Sequence, residues 1–213
     1  MRVLRIQPND PNDYCCNIYW VVADPGTPNG LNTLVDVGSS RPANLAFMLQ
    51  RMEEHPKGIG VRAVDQVILT HCHYDHTGGL PGVMEHFSPK VLAFCQEPWV
   101  DQNLVNGDWL RIGDKDFRVI HTPGHSEDSI CLFCPETKTL FSGDTLYRIT
   151  DTEGCYPECY ATSLERLLSL DAQTVLPGHG EPVTHGIKEL ITRSIQCVRN
   201  SAVPMREGRA KIH

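Results

Sequence analysis

"THCHYDHTGG", Thr70 to Gly79, sets three histidines and an aspartate directly behind the apolar run Val67-Ile68-Leu69. A short apolar run of that kind reads as a strand buried on both faces. The coordinating side chains therefore stand at the C-terminal end of a buried strand. His71 and His73 are two residues apart, so an extended or turning backbone aims both at one point. Asp75 and His76 follow at once and reach a second point nearby. Nitrogen and oxygen donors suit zinc, iron or manganese. A structural zinc site closes with four ligands and often uses cysteine, so this donor set fits an open, catalytic kind of site better. One loop histidine is ordinarily a solvent contact; HxHxDH at a strand exit is the spacing of a metal loop.

Three more turns repeat the arrangement. "TPGHS" places His125 after the strand "FRVIH", "FSGDTL" places Asp144 after "TLF", and "LPGHG" places His179 after "TVL". Each is a ligand-type residue at a strand exit beside glycine, which lets the backbone turn sharply and a ligand approach closely. With HxHxDH they bring the donors to seven, enough for two metals. Strand exits are also where open α/β folds collect their sites.

The surrounding pattern supplies the frame. "RVLRIQP", "CNIYWVVAD" and "LNTLVDVG" read as strands, the last two joined as a hairpin through "DPGTPNG". "RPANLAFMLQRMEEH" is helical, with Leu45, Met48, Leu49 and Met52 on one face and Pro42 in the first turn. "GGLPGVMEHF" is a helix and "KVLAFC" a strand. "DWLRIGD", "FRVIHTPG", "SICLFCP" and "TLFSGD" are successive strands, with a hairpin turn at "TKT". "SLERLLSL" and "IKELITRSIQCVRN" are helices on either side of "QTVLPGHG". No repeat, low-complexity tract or linker interrupts this, so residues 1–213 read as one domain with a polar, flexible tail at 202–213.

Composition limits the partners. The chain has 213 residues, 40% of them hydrophobic, and a net charge of −7. An acidic surface has no general attraction for phosphate backbones, so DNA is not an expected partner and an RNA contact is disfavoured. No stretch is apolar enough to span a bilayer. The opening residues lack a signal-peptide core, so the expected location is cytoplasmic. Nine cysteines are an odd number in a chain that needs no staples, and free thiols are the default. Cys155 and Cys159 follow Asp144. With Cys131 and Cys134 they suggest a structural zinc only on paper, because residues three apart on a strand face opposite ways.

In order and context, His71, His73, Asp75, His76, His125, Asp144 and His179 resemble the five recurring motifs of the metallo-β-lactamase superfamily, over about Val3 to Asn200. "LVDVG" resembles the first motif. The resemblance implies an αββα sandwich, two mixed β-sheets flanked by helices with the metals at one edge. It puts one divalent ion on His71, His73 and His125 and a second on Asp75, His76 and His179, with Asp144 between them. The ions would be zinc, with iron or manganese as substitutes. It gives Asp36 the task of hydrogen-bonding the metal loop. It gives Asp75 a catalytic part, orienting the proton of a hydroxide held between the ions. His121 reads as a strand residue and not an eighth ligand.

Within the superfamily, Asp144 stands where zinc β-lactamases carry cysteine or serine. "GDTLY" and "LPGHG" look most like glyoxalase II and its shorter relatives, which hydrolyse glutathione thioesters. The chain has room for one helix after His179, whereas glyoxalase II has a fuller C-terminal helical region. It also has "YRITDTEGCYPECY" where the family shows a glycine-arginine element. Tyr147 lies where acyl-homoserine lactonases have a tyrosine that holds the substrate carbonyl. The expectation is a two-metal hydrolase of a small-molecule thioester, ester or lactone. A mono-iron persulfide dioxygenase is the main alternative and a non-catalytic metal protein a weaker one. A homodimer is left open.

Overall fold

The computed structural model describes residues 1–7, 13–55, 62–147, 149 and 155–201. The expected tail at 202–213, and residues 148 and 150–154 of the segment that replaces the glycine-arginine element, lie outside these residues.

Strand β2 (Ile18–Val22) shows why the chain folds in layers. All five of its side chains are buried, because successive residues of a strand face opposite sides and both sides are covered. Ile18, Trp20 and Val22 point into one apolar layer and Tyr19 and Val21 into another. The first layer lies against helices α1 (Pro42–Glu53) and α3 (Leu80–Phe87), which contribute Met48, Met52, Leu80 and Val83. The second is the seam between two sheets.

One sheet has six strands in the order β1 (Arg2–Ile6), β2, β3 (Thr33–Val35), β4 (Gln66–Ile68), β5 (Lys90–Ala93) and β6 (Gln102–Asn103). Pairings β1–β2 and β2–β3 are antiparallel, the latter making the expected hairpin; β3–β4, β4–β5 and β5–β6 are parallel. The other sheet runs β11 (Thr174–Pro177), β10 (Thr139–Gly143), β9 (Ile130–Cys134), β8 (Lys115–His121) and β7 (Trp109–Ile112). Its pairings are antiparallel except β10–β11. Phe117, Val119, Leu132 and Phe141 cross the seam to Tyr19, Val35, Ile68 and Leu92. On its outer face, Ile120, Phe133 and Leu140 meet Leu164 and Leu167 of α4 (Glu158–Leu168) and Ile191 and Ile195 of α5 (Ile187–Ser201). The result is the αββα sandwich.

Three details differ from the sequence reading. The metal loop contains a single helical turn, α2 (Tyr74–Thr77). Helix α4 begins at Glu158, before the expected Ser163; its buried face, Tyr160, Ser163, Leu164 and Leu167, already has helical spacing. Strand β6 was not expected, since two residues carry no periodicity. Cys131 and Cys134 do enter different layers, and Cys155 and Cys159 are exposed.

Candidate metal centre

The sheet directions bring the strand exits to one edge. In the first sheet β3 and β4 are parallel, so Asp36 and the loop beginning at Thr70 leave side by side. In the second, β8, β10 and β11 run the same way, so His125, Asp144 and His179 leave together. Backbone bonds join the two edges: Ile130 N–H donates to Thr70 O at 2.8 Å and Asn17 N–H to Gly178 O at 2.6 Å.

The side chains meet in two groups. In the first, His73 Nδ1 lies 3.0 Å from His71 Nε2 and 2.9 Å from His125 Nε2. Three ring nitrogens facing one another cannot all be satisfied by the protons they carry, and a cation among them resolves this. Burial, reinforced by the neighbouring imidazoles, pushes the pKa of His71 far below the ordinary histidine value, so its ring is neutral. In the second group His179 Nε2 is 3.0 Å from Asp75 Oδ2, and His76 Nε2 is 3.4 Å from Asp144 Oδ1. Asp144 also faces both groups. Its Oδ2 lies 3.6 Å from His125 Nε2 and 3.5 Å from His179 Nε2. His76 Nε2 and Asp144 Oδ1 are buried with no hydrogen-bond partner. Orphaned buried atoms of this kind are costly unless a further group completes them. The donor set and these unpartnered atoms fit divalent cations.

Asp36 sets the geometry of the loop. Its Oδ1 accepts from Thr70 N–H at 2.8 Å. Its Oδ2 accepts from the Thr70 hydroxyl and lies 2.8 Å from His76 Nδ1. That contact puts a proton on His76 Nδ1 and turns Nε2 into the site, where it would offer its lone pair to a bound cation. Asp36 holds a left-handed backbone (φ 58°), an uncommon state for a residue with a Cβ. Gly178 leaves the room this crowding needs. A Cβ there would sit 2.2 Å from Asp144 Oδ1 and 2.7 Å from His76 Cε1.

Tyr147 lies at the site, its ring 4.7 Å from that of His179. Its neighbour there, Tyr14, was missed in the sequence. Tyr14 is 45% exposed, stacks on His179 at 4.6 Å and hydrogen-bonds Tyr147. The chain around it is firmly held: Asp13 accepts from Ser39 Oγ and Asn44 Nδ2, and Asn17 Nδ2 donates to Pro177 O. Cys16, fully buried against Asp36 and His76, is a second residue that no sequence signal places here. His121 stands apart, stacked on Phe94 with its Nε2 2.8 Å from Glu127 O.

Comparison with known proteins agrees with this architecture. The profile of the Metallo-beta-lactamase superfamily matches residues 13–94 and 100–179. The chain is 34% identical to a hydroxyacylglutathione hydrolase from Hydrogenovibrio crunogenus, over 76% of this chain and 59% of that protein. It is 29% identical to the thioesterase pkgB of Emericella nidulans, over 76% of this chain and 46% of that one. It thus spans about half the length of these curated relatives. Among solved structures, a metallo-beta-lactamase family protein from Thermus thermophilus superposes with a TM-score of 0.71 at 20% identity, covering 92% of this chain and 78% of the other. Among the described residues no helix is long and apolar enough to cross a membrane. With two layered sheets, a His/Asp-rich edge between them and a profile matching most of its length, the chain belongs to the metallo-β-lactamase superfamily, whose hydrolytic enzymes include its named relatives.

Proposed function

We propose that the chain is a two-metal hydrolase of small thioesters. The observation that carries this reading is Asp144, whose carboxylate faces a three-histidine group on one side and the Asp75–His76–His179 group on the other. The thioester substrate is suggested by relatives named as a hydroxyacylglutathione hydrolase and a thioesterase.

In this reading His71, His73 and His125 would hold one divalent ion, Asp75, His76 and His179 would hold the other, and Asp144 would serve both. Bound in this way, such ions supply Lewis acidity and lower the pKa of bound water to roughly 7. The protein's own part is orientation and proton handling. Burial opposes a charge on Asp75, but the His179 hydrogen bond and the nearby His76 hold its carboxyl below the ordinary range, so it is ionised at neutral pH. Asp75 then takes the proton of the attacking water. Water oxygen bonds to the acyl carbon, the carbon–sulfur bond breaks, and the departing thiolate takes up the proton that Asp75 accepted. Tyr14 and Tyr147, at the rim above His179, contact the acyl group or the leaving group.

The test is to load the protein with zinc, manganese or iron and assay three chemistries. Thiol release from a hydroxyacylglutathione thioester, rising with metal content and lost on chelation, supports the proposal. Oxygen uptake with glutathione persulfide at one iron per chain would refute it. A second reading, lactone hydrolysis, is favoured by Tyr147 beside His179. Cleavage of an acyl-homoserine lactone without thioester cleavage would establish it.

A further inference from the structure

On the far side of the metal loop, Cys72 meets a second cysteine. Its Sγ lies 2.6 Å from Cys95 Sγ, and both residues are partly exposed. The register of the first sheet causes this. β4 and β5 are parallel with Ile68 opposite Leu92, and Leu69 N–H continues the ladder by donating to Leu92 O at 3.0 Å. Neighbouring strands run about 4.8 Å apart, within the Cα separation a disulfide requires. Cys72 and Cys95 lie four and three residues beyond that paired position. The β5 end is also held in place, because Asn103 Nδ2 donates to Cys95 O at 2.6 Å.

From this geometry we infer that Cys72 and Cys95 are a thiol modification site, closing reversibly to an intramolecular disulfide beside the metal centre. The alternative occupant is a thiophilic cation, since a carboxylate oxygen of Asp128 lies within 4.8 Å of both sulfurs. The donor set decides between them: two thiols and one carboxylate leave a structural zinc, which closes with four ligands, one donor short. Alternation along the loop explains how the pair can exist without disturbing the ligands. His71 and His73 face the site and Cys72 faces away.

A low-molecular-weight disulfide such as glutathione disulfide is the oxidant. Burial raises the pKa of both thiols, so exchange is slow: the small thiolate fraction of Cys95 attacks a glutathione sulfur and expels glutathione thiolate. Cys72 then attacks the mixed disulfide and expels the second. The two protons lost by the cysteines are taken up by the two glutathiones, and no other redox partner is needed. The bond would tie the backbone between His71 and His73 to the end of β5. This inference is independent of the thioester reading.

The metal-bearing protein is equilibrated with excess glutathione disulfide, or with excess glutathione, then acid-quenched, denatured, alkylated and digested with trypsin. The oxidised sample should lose two of its nine alkylatable thiols. Peptide 63–90, whose cysteine is Cys72, should appear joined to peptide 91–111, whose cysteine is Cys95. Glutathione should release the two. Cys95→Ser should abolish the joined species and keep the wild-type metal content. Separate glutathione adducts, cross-links to other cysteines, or unmodified Cys72 and Cys95 after oxidation would overturn the inference. Loss of a metal equivalent in Cys95→Ser would overturn it too, by showing a thiolate metal site.

Discussion

Replacing Asp36 with asparagine isolates the function of one proton on His76. The carboxylate has donors on both oxygens: Thr70 N–H on Oδ1, and the Thr70 hydroxyl with His76 Nδ1 on Oδ2, each at 2.8 Å. Asparagine has nearly the same shape but turns one acceptor into a donor. If its amide nitrogen takes the Oδ1 position, it confronts the buried Thr70 N–H. If it takes the Oδ2 position, the Thr70 hydroxyl can rotate, but His76 must move its proton to Nε2. That removes the lone pair aimed into the site.

The first orientation leaves a buried donor unsatisfied, at about 1–3 kcal/mol. In metal-free protein of this size that lowers Tm by roughly 2–12 °C. The second disables one metal ligand. Losing a partner of this kind weakens metal binding about 10–100-fold, or roughly 1.4–2.7 kcal/mol. The assay is zinc titration of stripped protein against a competing chelator, with thermal unfolding of the same samples. One zinc equivalent should weaken by that factor while the equivalent on His71, His73 and His125 survives. If Asp36→Asn binds both equivalents as tightly as wild type, Asp36 does not fix the His76 tautomer.

Asp144→Ala removes the carboxylate facing both groups, so elemental analysis should find fewer than two metal equivalents; full occupancy would mean that Asp144 does not bridge. Gly178→Ala puts a methyl 2.2 Å from Asp144 Oδ1 and 3.2 Å from the backbone of Gly143. Overpacking of this kind costs about 1–3 kcal/mol, and metal content should fall with stability; a fully loaded variant of wild-type Tm would show that the turn relaxes freely. Cys155→Ala combined with Cys159→Ala should leave bound metal unchanged, because the pair is exposed whereas Cys131 and Cys134 are buried in separate layers. Loss of an equivalent would reveal a thiolate site there.

The seven metal-type residues were legible because three local signals coincide at each: an apolar strand, a donor at its exit, and a glycine or a short turn beside it. Local signals of that kind survive folding, since the strand exit is itself a local event. Asp36 was half-legible. An aspartate before Gly38 also reads as a turn residue, and its Thr70 and His76 contacts arise only when β3 and β4 pair in parallel. Helix α4 could have been read from Tyr160 onward, but the leucines from Leu164 dominated the pattern.

Tyr14 and the Cys72–Cys95 pair were invisible for one common reason. Alternation says which way a side chain faces, not what it meets. It correctly turns Cys72 away from the donors of His71 and His73, and it treats Cys72 as a spacer. What stands on that other side depends on the stagger of β4 against β5, set by residues more than twenty positions apart. Tyr14 lies in a stretch with no periodicity at all. Its place over His179 is set by Ser39, Asn44 and Pro177, each brought in by a different element. A cluster of donors at strand exits can therefore be read from one chain, because the donors belong to the turns themselves. The groups that border it, Tyr14 and the Cys72–Cys95 pair, belong to the packing between elements and become readable only when that packing is known.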